Sequence, residues 1–473
     1  MEQMSRRSFL KTVSLASVSA MVLPGILVSC DEEEVRKTDK PVATIRATKG
    51  NMSYRTNPNT GNSVSILGYG TMHILPSRNG NTGGKAGAGI NQEALNRSVD
   101  YAIDHGVNFF NTAPSYGNGD NEKALGAALS RHPRKSYFVS TKLSNFDSGQ
   151  QTAAASKAMF YNSLKNLQVD TFDLYLLHNI GIGGMDMFNR RFIDNGMLDF
   201  LQQQQRNGVV RNLGFSFSGD IEVFNHAMAM HDAGVVKWNV AQVCINYVDW
   251  FYPSGGANSD TDSRYLYNEL VKRGIPVNAV DPLHGGQLGT VSRPVSEKMR
   301  KMRPDDTVSS WAMRFVGSLE GVMTIVVGMA YMEHLKDNVY TCSPLAPMTD
   351  EEIRFIDKVA RRVSKHPYVK CVRCYACSPC RYGVDIVGVF DRYNMCLDDD
   401  SIMVDPDDES PSDYSRMRRA FLVGMDCSVS KMRQADHCIG CGECVAKCPR
   451  QIDIPAKMRT ISDYTERLRS KVL

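Results

Sequence analysis

The chain is 473 residues long, carries 55 basic and 51 acidic side chains and has a formal net charge of +4. That is more chain than one ordinary domain needs. So small a charge, with both signs interleaved and no basic stripe, excludes nucleic acid as a partner.

In chain order, Ser5-Arg6-Arg7-Ser8-Phe9-Leu10-Lys11 comes first, a paired-arginine element ahead of a small-residue apolar stretch from Thr12 to Ser29. The stretch is short, rich in Ser and Ala and broken by Pro24-Gly25, so it does not suit a permanent membrane span. It reads as a twin-arginine export signal. Its end, Leu27-Val28-Ser29-Cys30, resembles a bacterial lipoprotein processing site with Cys30 as the lipidated residue. The expected layout is a signal over residues 1–30 and a polar linker over 31–53, opened by the acidic run Asp31–Glu34. The mature protein is then expected to be tethered to a membrane through Cys30, facing the periplasm or the cell exterior.

From Tyr54 to about residue 345 short β-type runs alternate with helical patterns. The strand candidates are Phe109–Asn111, Tyr137–Thr141, Phe172–Leu177, Val210–Phe215, Val240–Val243, Pro276–Val280 and Met323–Val327. Amphipathic stretches lie between them at Gln92–His105, Ser156–Leu167, Leu198–Arg206, Ser263–Arg273 and Ser309–Val316. Such β–α alternation over residues 54–345 predicts an α/β fold, a parallel (β/α)8 TIM barrel. A doubly wound sheet is the alternative, but no G-x-G-x-x-G follows the first strand. Gly80–Gly89 lacks the Lys-Ser/Thr ending of a phosphate loop and reads as a loop insertion.

In a barrel of this kind the reacting side chains sit at successive strand ends. The polar residues there are Asn111 and Tyr116, then Lys142, then His178. A Lys beside a Tyr lowers the phenol's pKa by stabilising phenolate, which suits proton donation to a carbonyl oxygen. His178 could orient and polarise the same oxygen. Alone, each has a blander reading: a half-buried aromatic, a surface charge, a satisfied core imidazole. Their convergence on consecutive strand ends is what favours chemistry.

Residues 346–473 form the predicted second domain. Cys438-x2-Cys441-x2-Cys444-x3-Cys448-Pro449 has the spacing of a bacterial ferredoxin cluster motif. Cys371, Cys374, Cys377 and Cys380 form a partner quartet upstream, so eight of the 13 cysteines stand at cluster-ligand spacing. Disulfides or a zinc ribbon explain this less well, since a ribbon needs only two C-x2-C pairs. Gly383-Val384-Asp385-Ile386 and Gln451-Ile452-Asp453-Ile454 follow the two runs in parallel, as in a duplicated ferredoxin-like helical/loop unit. By the two-cluster rule Cys371, Cys374 and Cys377 share a [4Fe-4S] cluster with Cys448, and Cys438, Cys441 and Cys444 share one with Cys380. Cys244, Cys342, Cys396 and Cys427 are expected to be ordinary buried thiols, and 398–416 an acidic surface loop.

Phe110-Asn111-Thr112-Ala113-Pro114-Ser115-Tyr116-Gly117 with Glu122…Leu125-Gly126 resembles the F-D-T-A-x-x-Y-G…E-x-x-L-G signature of the aldo-keto reductases. Ser140-Thr141-Lys142, Leu177-His178 and Leu67-Gly68-Tyr69-Gly70-Thr71-Met72 match the family too. With its cysteine-rich tail and export signal, the chain resembles a ferredoxin-fused, exported branch of that family. The resemblance implies carbonyl–alcohol interconversion by hydride transfer with NAD(P)H, coupled to electron transfer through two [4Fe-4S] clusters. It implies Tyr116, Lys142, His178 and Asn111 as the catalytic group. Ser216, Gln242, Leu283, Gly328, His334 and Asn338 are the implied dinucleotide contacts. Three departures stand out: Asn111 replaces the family's Asp, Phe217 and Val280 replace an Asn and a stacking aromatic, and His334 replaces a phosphate-directed Arg.

The expected partners are a small carbonyl or hydroxyl substrate, a redox protein or other electron carrier, and a membrane through Cys30. Two other functions fit the same residues: an electron-transfer protein whose barrel is a degenerate scaffold, and a surface module binding a sugar or other small ligand.

Overall fold

The computed structural model describes residues 51–74, 89–289, 291, 293–364, 368–398, 414–448, 450 and 452–470. The expected signal (1–30), Arg6, Arg7, Cys30 and nearly all of the linker lie outside these residues, as do most of Gly80–Gly89 and of the 398–416 loop. Among the described residues no helix is long and apolar enough to cross a membrane.

A short antiparallel hairpin, β1 (Tyr54–Thr56) and β2 (Ser63–Ser65), leads into the barrel. Arg55 on that hairpin donates to the carbonyls of Gly317, Leu319 and Val322, tying it to the end of the helix Val308–Gly317. The barrel strands are β3 (Leu67–Gly70), β4 (Phe109–Asn111), β5 (Phe138–Leu143), β6 (Leu174–Leu177), β7 (Leu213–Ser216), β8 (Val240–Cys244), β9 (Val277–Val280) and β10 (Val322–Gly328). They close in sequence order, all parallel, with β10 pairing β3 and β9. The expected (β/α)8 barrel is present. All seven candidate stretches contain a strand, and the eighth strand is β3, in a Gly-rich stretch short of β-branched residues.

The strands are buried on both faces, as near-continuous apolar runs in a parallel sheet require. One face packs under the helices, and a smaller set including Phe109, Phe138, Leu174, Leu176, Val240 and Met323 fills the barrel interior. The helices begin where polar side chains can cap free N–H groups. Asn91 accepts from Ala94, Thr152 from Ala155, Asp262 from Tyr265 and Thr307 from Ser310. Gly126 lets the helix Asp120–Leu129 pass against Ala153–Leu167: a Cβ there would stand 2.2 Å from the Asn166 carbonyl oxygen.

The helix Asp350–Ser364 belongs with the barrel, so the predicted boundary at 345 falls too early. Phe355, Ile356, Val359 and Ala360 join the barrel core, and Glu352 takes a buried two-pronged bond from Arg314 at 2.9 Å on each oxygen. The tail has its own core, built on the helices Ile386–Asp398, Tyr414–Ser428 and Ile454–Ser470. Six of the eight expected ligand cysteines lie half-buried against it. Cys342 and Cys396 are buried as expected, but Cys427 is exposed, because it falls on the outer face of its helix.

Candidate active site

Asn111, Lys142 and His178 are brought together by the parallel register of β4, β5 and β6. Asn111 ends β4 and Lys142 lies one residue short of the end of β5, so both stand inside strands and not just past them. His178 follows β6, and Tyr116 opens a single 3-10 turn after β4. The Lys142 Nζ, fully buried, donates to Asn111 Oδ1 at 2.8 Å, to the Thr112 carbonyl at 2.8 Å and to the Tyr116 hydroxyl at 3.1 Å. The Asn111 amide nitrogen donates to Ser140 and Gln242, each at 3.2 Å. The imidazole of His178 meets the Tyr116 ring edge-on at 5.8 Å, and its Nδ1 pairs with the Ser144 hydroxyl at 2.6 Å.

The electrostatics differ from the sequence expectation in one respect. Burial holds the Lys142 ammonium down to about 7, with Glu122 partly offsetting it. The phenol of Tyr116 is pushed up, not down, mainly by burial and further by the nearby Cys374 and Cys244 thiols. Desolvation outweighs the Lys142 charge here, and Asn111 supplies no carboxylate to hold that charge. Burial, with Lys142 and Arg191 adding to it, also depresses His178, so its imidazole is neutral.

Three residues of this centre were not singled out in the sequence. Ser144 sits two positions beyond Lys142, on the same face of the extended chain, and sets the His178 ring. Arg191 is fully buried and donates to the His178 carbonyl at 2.6 Å, with its guanidinium 4.3 Å over the Phe146 ring. It lies in the π-helical turn Asn189–Ile193, which gave no signal in the sequence. Glu122 appeared only as a motif letter, yet it accepts from Thr141 at 2.6 Å and is the carboxylate acting on Lys142.

The implied dinucleotide contacts lie along the same C-terminal rim, but several are already engaged. Ser216 bonds Asn179 and Gln242 bonds Asn111. Leu283 packs against the barrel core, and Asn338 is buried in the helix Met332–Thr341. Gly328 is filled by His73, whose Nδ1 stands 2.6 Å from where a Cβ would be. His334 is exposed, edge-on to Tyr331.

In the tail, Cys371, Cys374, Cys377 and Cys448 lie within mutual electrostatic reach. Cys444 is within reach of Cys438, Cys441 and Cys380. The two loops turn alike: Arg373 and Tyr375 have φ of 52° and 58° where the second loop has Gly440 and Gly442 at 77° and 78°. Among the described residues no three metal-binding side chains converge on a single-ion site. A cluster brings its own inorganic core, so its thiolates stand further apart than the ligands of a lone ion, and two groups of four cysteines suit that donor chemistry.

A closed parallel barrel with a Tyr–Lys–His group at its C-terminal mouth defines a class, the carbonyl-reducing barrel oxidoreductases. The particular family follows from comparison: the chain belongs to the Aldo/keto reductase family, whose profile matches residues 67–361. It is similar to an L-galactose dehydrogenase of Arabidopsis thaliana, 24% identical over 303 residues, covering 61% of this chain and 87% of that protein. A glyoxal reductase of Bacillus subtilis is 27% identical over 215 residues, covering 45% of this chain and 67% of that one. The holo form of an aldo-keto reductase from Bacillus halodurans shares the fold, with a TM-score of 0.50 and 22% identity over 65% of this chain and 96% of its own. The protein is an aldo-keto reductase-type oxidoreductase.

Proposed function

We propose that the chain interconverts a small carbonyl compound and its alcohol at the barrel mouth, with electrons carried by iron–sulfur clusters in the tail. The observation that carries this reading is the bond from the buried Lys142 Nζ to the half-buried Tyr116 hydroxyl at the barrel mouth. Reduction adds two electrons and two protons to the carbonyl. Tyr116 gives one proton to the oxygen and solvent the second to the carbon, with one electron from each of two clusters, and the Lys142 ammonium steadies the tyrosinate until it is reprotonated. His178 is neutral and tied through Nδ1 to Ser144, which leaves Nε2 to hold the carbonyl oxygen in place. Asn111 orients Lys142 without charging the site.

Two cubane clusters would supply one-electron transfers, held by Cys371, Cys374, Cys377 and Cys448 and by Cys380, Cys438, Cys441 and Cys444. The family implies hydride transfer from NAD(P)H, whose implied rim contacts Ser216, Gln242 and Asn338 are present and already bonded or buried, and no step is routed through a dinucleotide. We further propose export through Arg6-Arg7 with anchoring at a lipidated Cys30; Cys30→Ser should then release the protein from membranes.

The test is turnover of a panel of small aldehydes and ketones by anaerobically prepared full-length protein, with reduced viologen as donor. Tyr116→Phe should lower it by roughly 10²–10⁴-fold. Turnover that ignores Tyr116 would leave only the scaffold or binding-module readings. The protein should also be brown, with about eight iron atoms per chain; a zinc-loaded, colourless protein would remove the clusters.

A further inference from the structure

The tail touches the barrel on the side of the mouth where the family's dinucleotide contacts fall. The Val372 carbonyl accepts from His73 Nε2 at 2.8 Å, and that same His73 fills the space at Gly328. The carbonyl oxygen of Cys371 stands 2.7 Å from the position of a Cβ on Gly285, two residues past Leu283. Gln287 donates to the Val369 carbonyl at 3.3 Å. Lys370 reaches Asp249 at 3.4 Å, and Arg450 donates to the Cys244 sulfur at 3.2 Å. Behind these contacts a cavity of about 50 Å³ is lined by residues of both units, among them Ser218, Asp260, Lys370 and Arg450.

We propose that the tail segment Val369–Cys374 is seated where the family's dinucleotide would lie, so that the docked chain excludes a nicotinamide dinucleotide. These contacts fall past the ends of β3, β8 and β9, so the segment covers the rim beside Leu283 directly and the space at Gly328 through its hold on His73.

The test uses full-length, anaerobically reconstituted protein, with NADPH and NADH as probes in equilibrium dialysis. Wild type should show no saturable binding up to about 1 mM. His73→Ala with Lys370→Ala, which cuts two of the contacts, should bind at least about 10-fold more tightly. Micromolar binding by wild type would overturn the proposal. So would no binding by either protein, because something other than the segment would then be keeping the dinucleotide out. Should the double variant fail to fold, hydrogen exchange in wild type decides: amides of Val369–Cys374 should be indifferent to 1 mM NADPH, on the order of the weakest measurable affinity, and a change there would count against the seat. Viologen-driven turnover tests the carbonyl reading separately, whichever way the dialysis falls.

Discussion

In the barrel, each functional side chain is held from several directions inside a large core. Lys142 is fully buried with three hydrogen-bond partners, and Arg191 behind His178 is equally enclosed. In the tail, six of the eight cysteines pack only at the edge of a small core, Cys441 is exposed, and the loops rely on left-handed backbone at Arg373, Tyr375, Gly440 and Gly442. The contrast shows two ways of organising a site. Barrel chemistry depends on desolvation, which moves the ionisation of Lys142, Tyr116 and His178 together. The tail's geometry depends on loop shape, with ligand chemistry expected to supply the rest of its rigidity.

The contrast can be broken first at the tail. Cys448→Ser should remove the same cluster signal as Cys371→Ser and about half of the iron, although Cys448 belongs to the same sequence run as Cys438, Cys441 and Cys444. If it instead matched Cys441→Ser, the crossed grouping would be wrong; iron analysis and electron paramagnetic resonance of the three variants decide.

The barrel's dependence on buried pairs predicts the next effect. Glu352→Ala strands Arg314 without its carboxylate and should destabilise by about 3–5 kcal/mol. The Arg314 guanidinium and the Thr349 N–H hold Glu352 below the usual carboxylate range, so its contribution is present near neutral pH and lost on acidification. Denaturant melting that left the barrel unaffected would put the helix Asp350–Ser364 back with the tail.

Asn111→Asp acts more gently. Lys142 titrates at about 7, so turnover that needs the ammonium should fall as pH rises through that value. A carboxylate in place of Asn111 should carry the falling limb upward by roughly 1 unit or more. The stability consequence has the matching sign. Between about 7 and the ordinary 10.5 the unfolded chain holds a proton on Lys142 that the folded chain lacks, so wild-type stability rises with pH across that window. The variant should flatten that rise. A pH profile identical to wild type would mean that the charge at this position does not govern Lys142.

The smallest effect belongs to the loop backbone. Tyr375→Gly removes a side chain from a left-handed position and should change stability by about 1 kcal/mol or less in the favourable direction. A clear loss would mean that the exposed Tyr375 ring contributes packing of its own.

Much of this was legible beforehand, for identifiable reasons. The barrel strands are apolar runs bounded by helical periodicity, and Asn111, Tyr116, Lys142 and His178 fall at the ends of three of them. The cysteine runs are recognisable from local spacing alone. Strand β3 was hard to see because Leu67-Gly68-Tyr69-Gly70 is half glycine, chosen for close approach to β10 and not for strand propensity. Arg191 escaped because its partners His178 and Asn145 come from other elements. The direction of the Tyr116 shift escaped for a similar reason. It depends on how deep the hydroxyl lies and on thiols from β8 and from the tail, which local sequence does not encode.

The most direct test of the account is a single turnover. Full-length protein, cluster-loaded and reduced without any dinucleotide present, is mixed anaerobically with a small aldehyde or ketone while its visible absorbance is followed. Reoxidation of the tail with alcohol formation in wild type, slowed by roughly 10²–10⁴-fold in Tyr116→Phe, is the predicted result. Reoxidation at the same rate in both proteins, or alcohol formed only when NADPH is added, would contradict it.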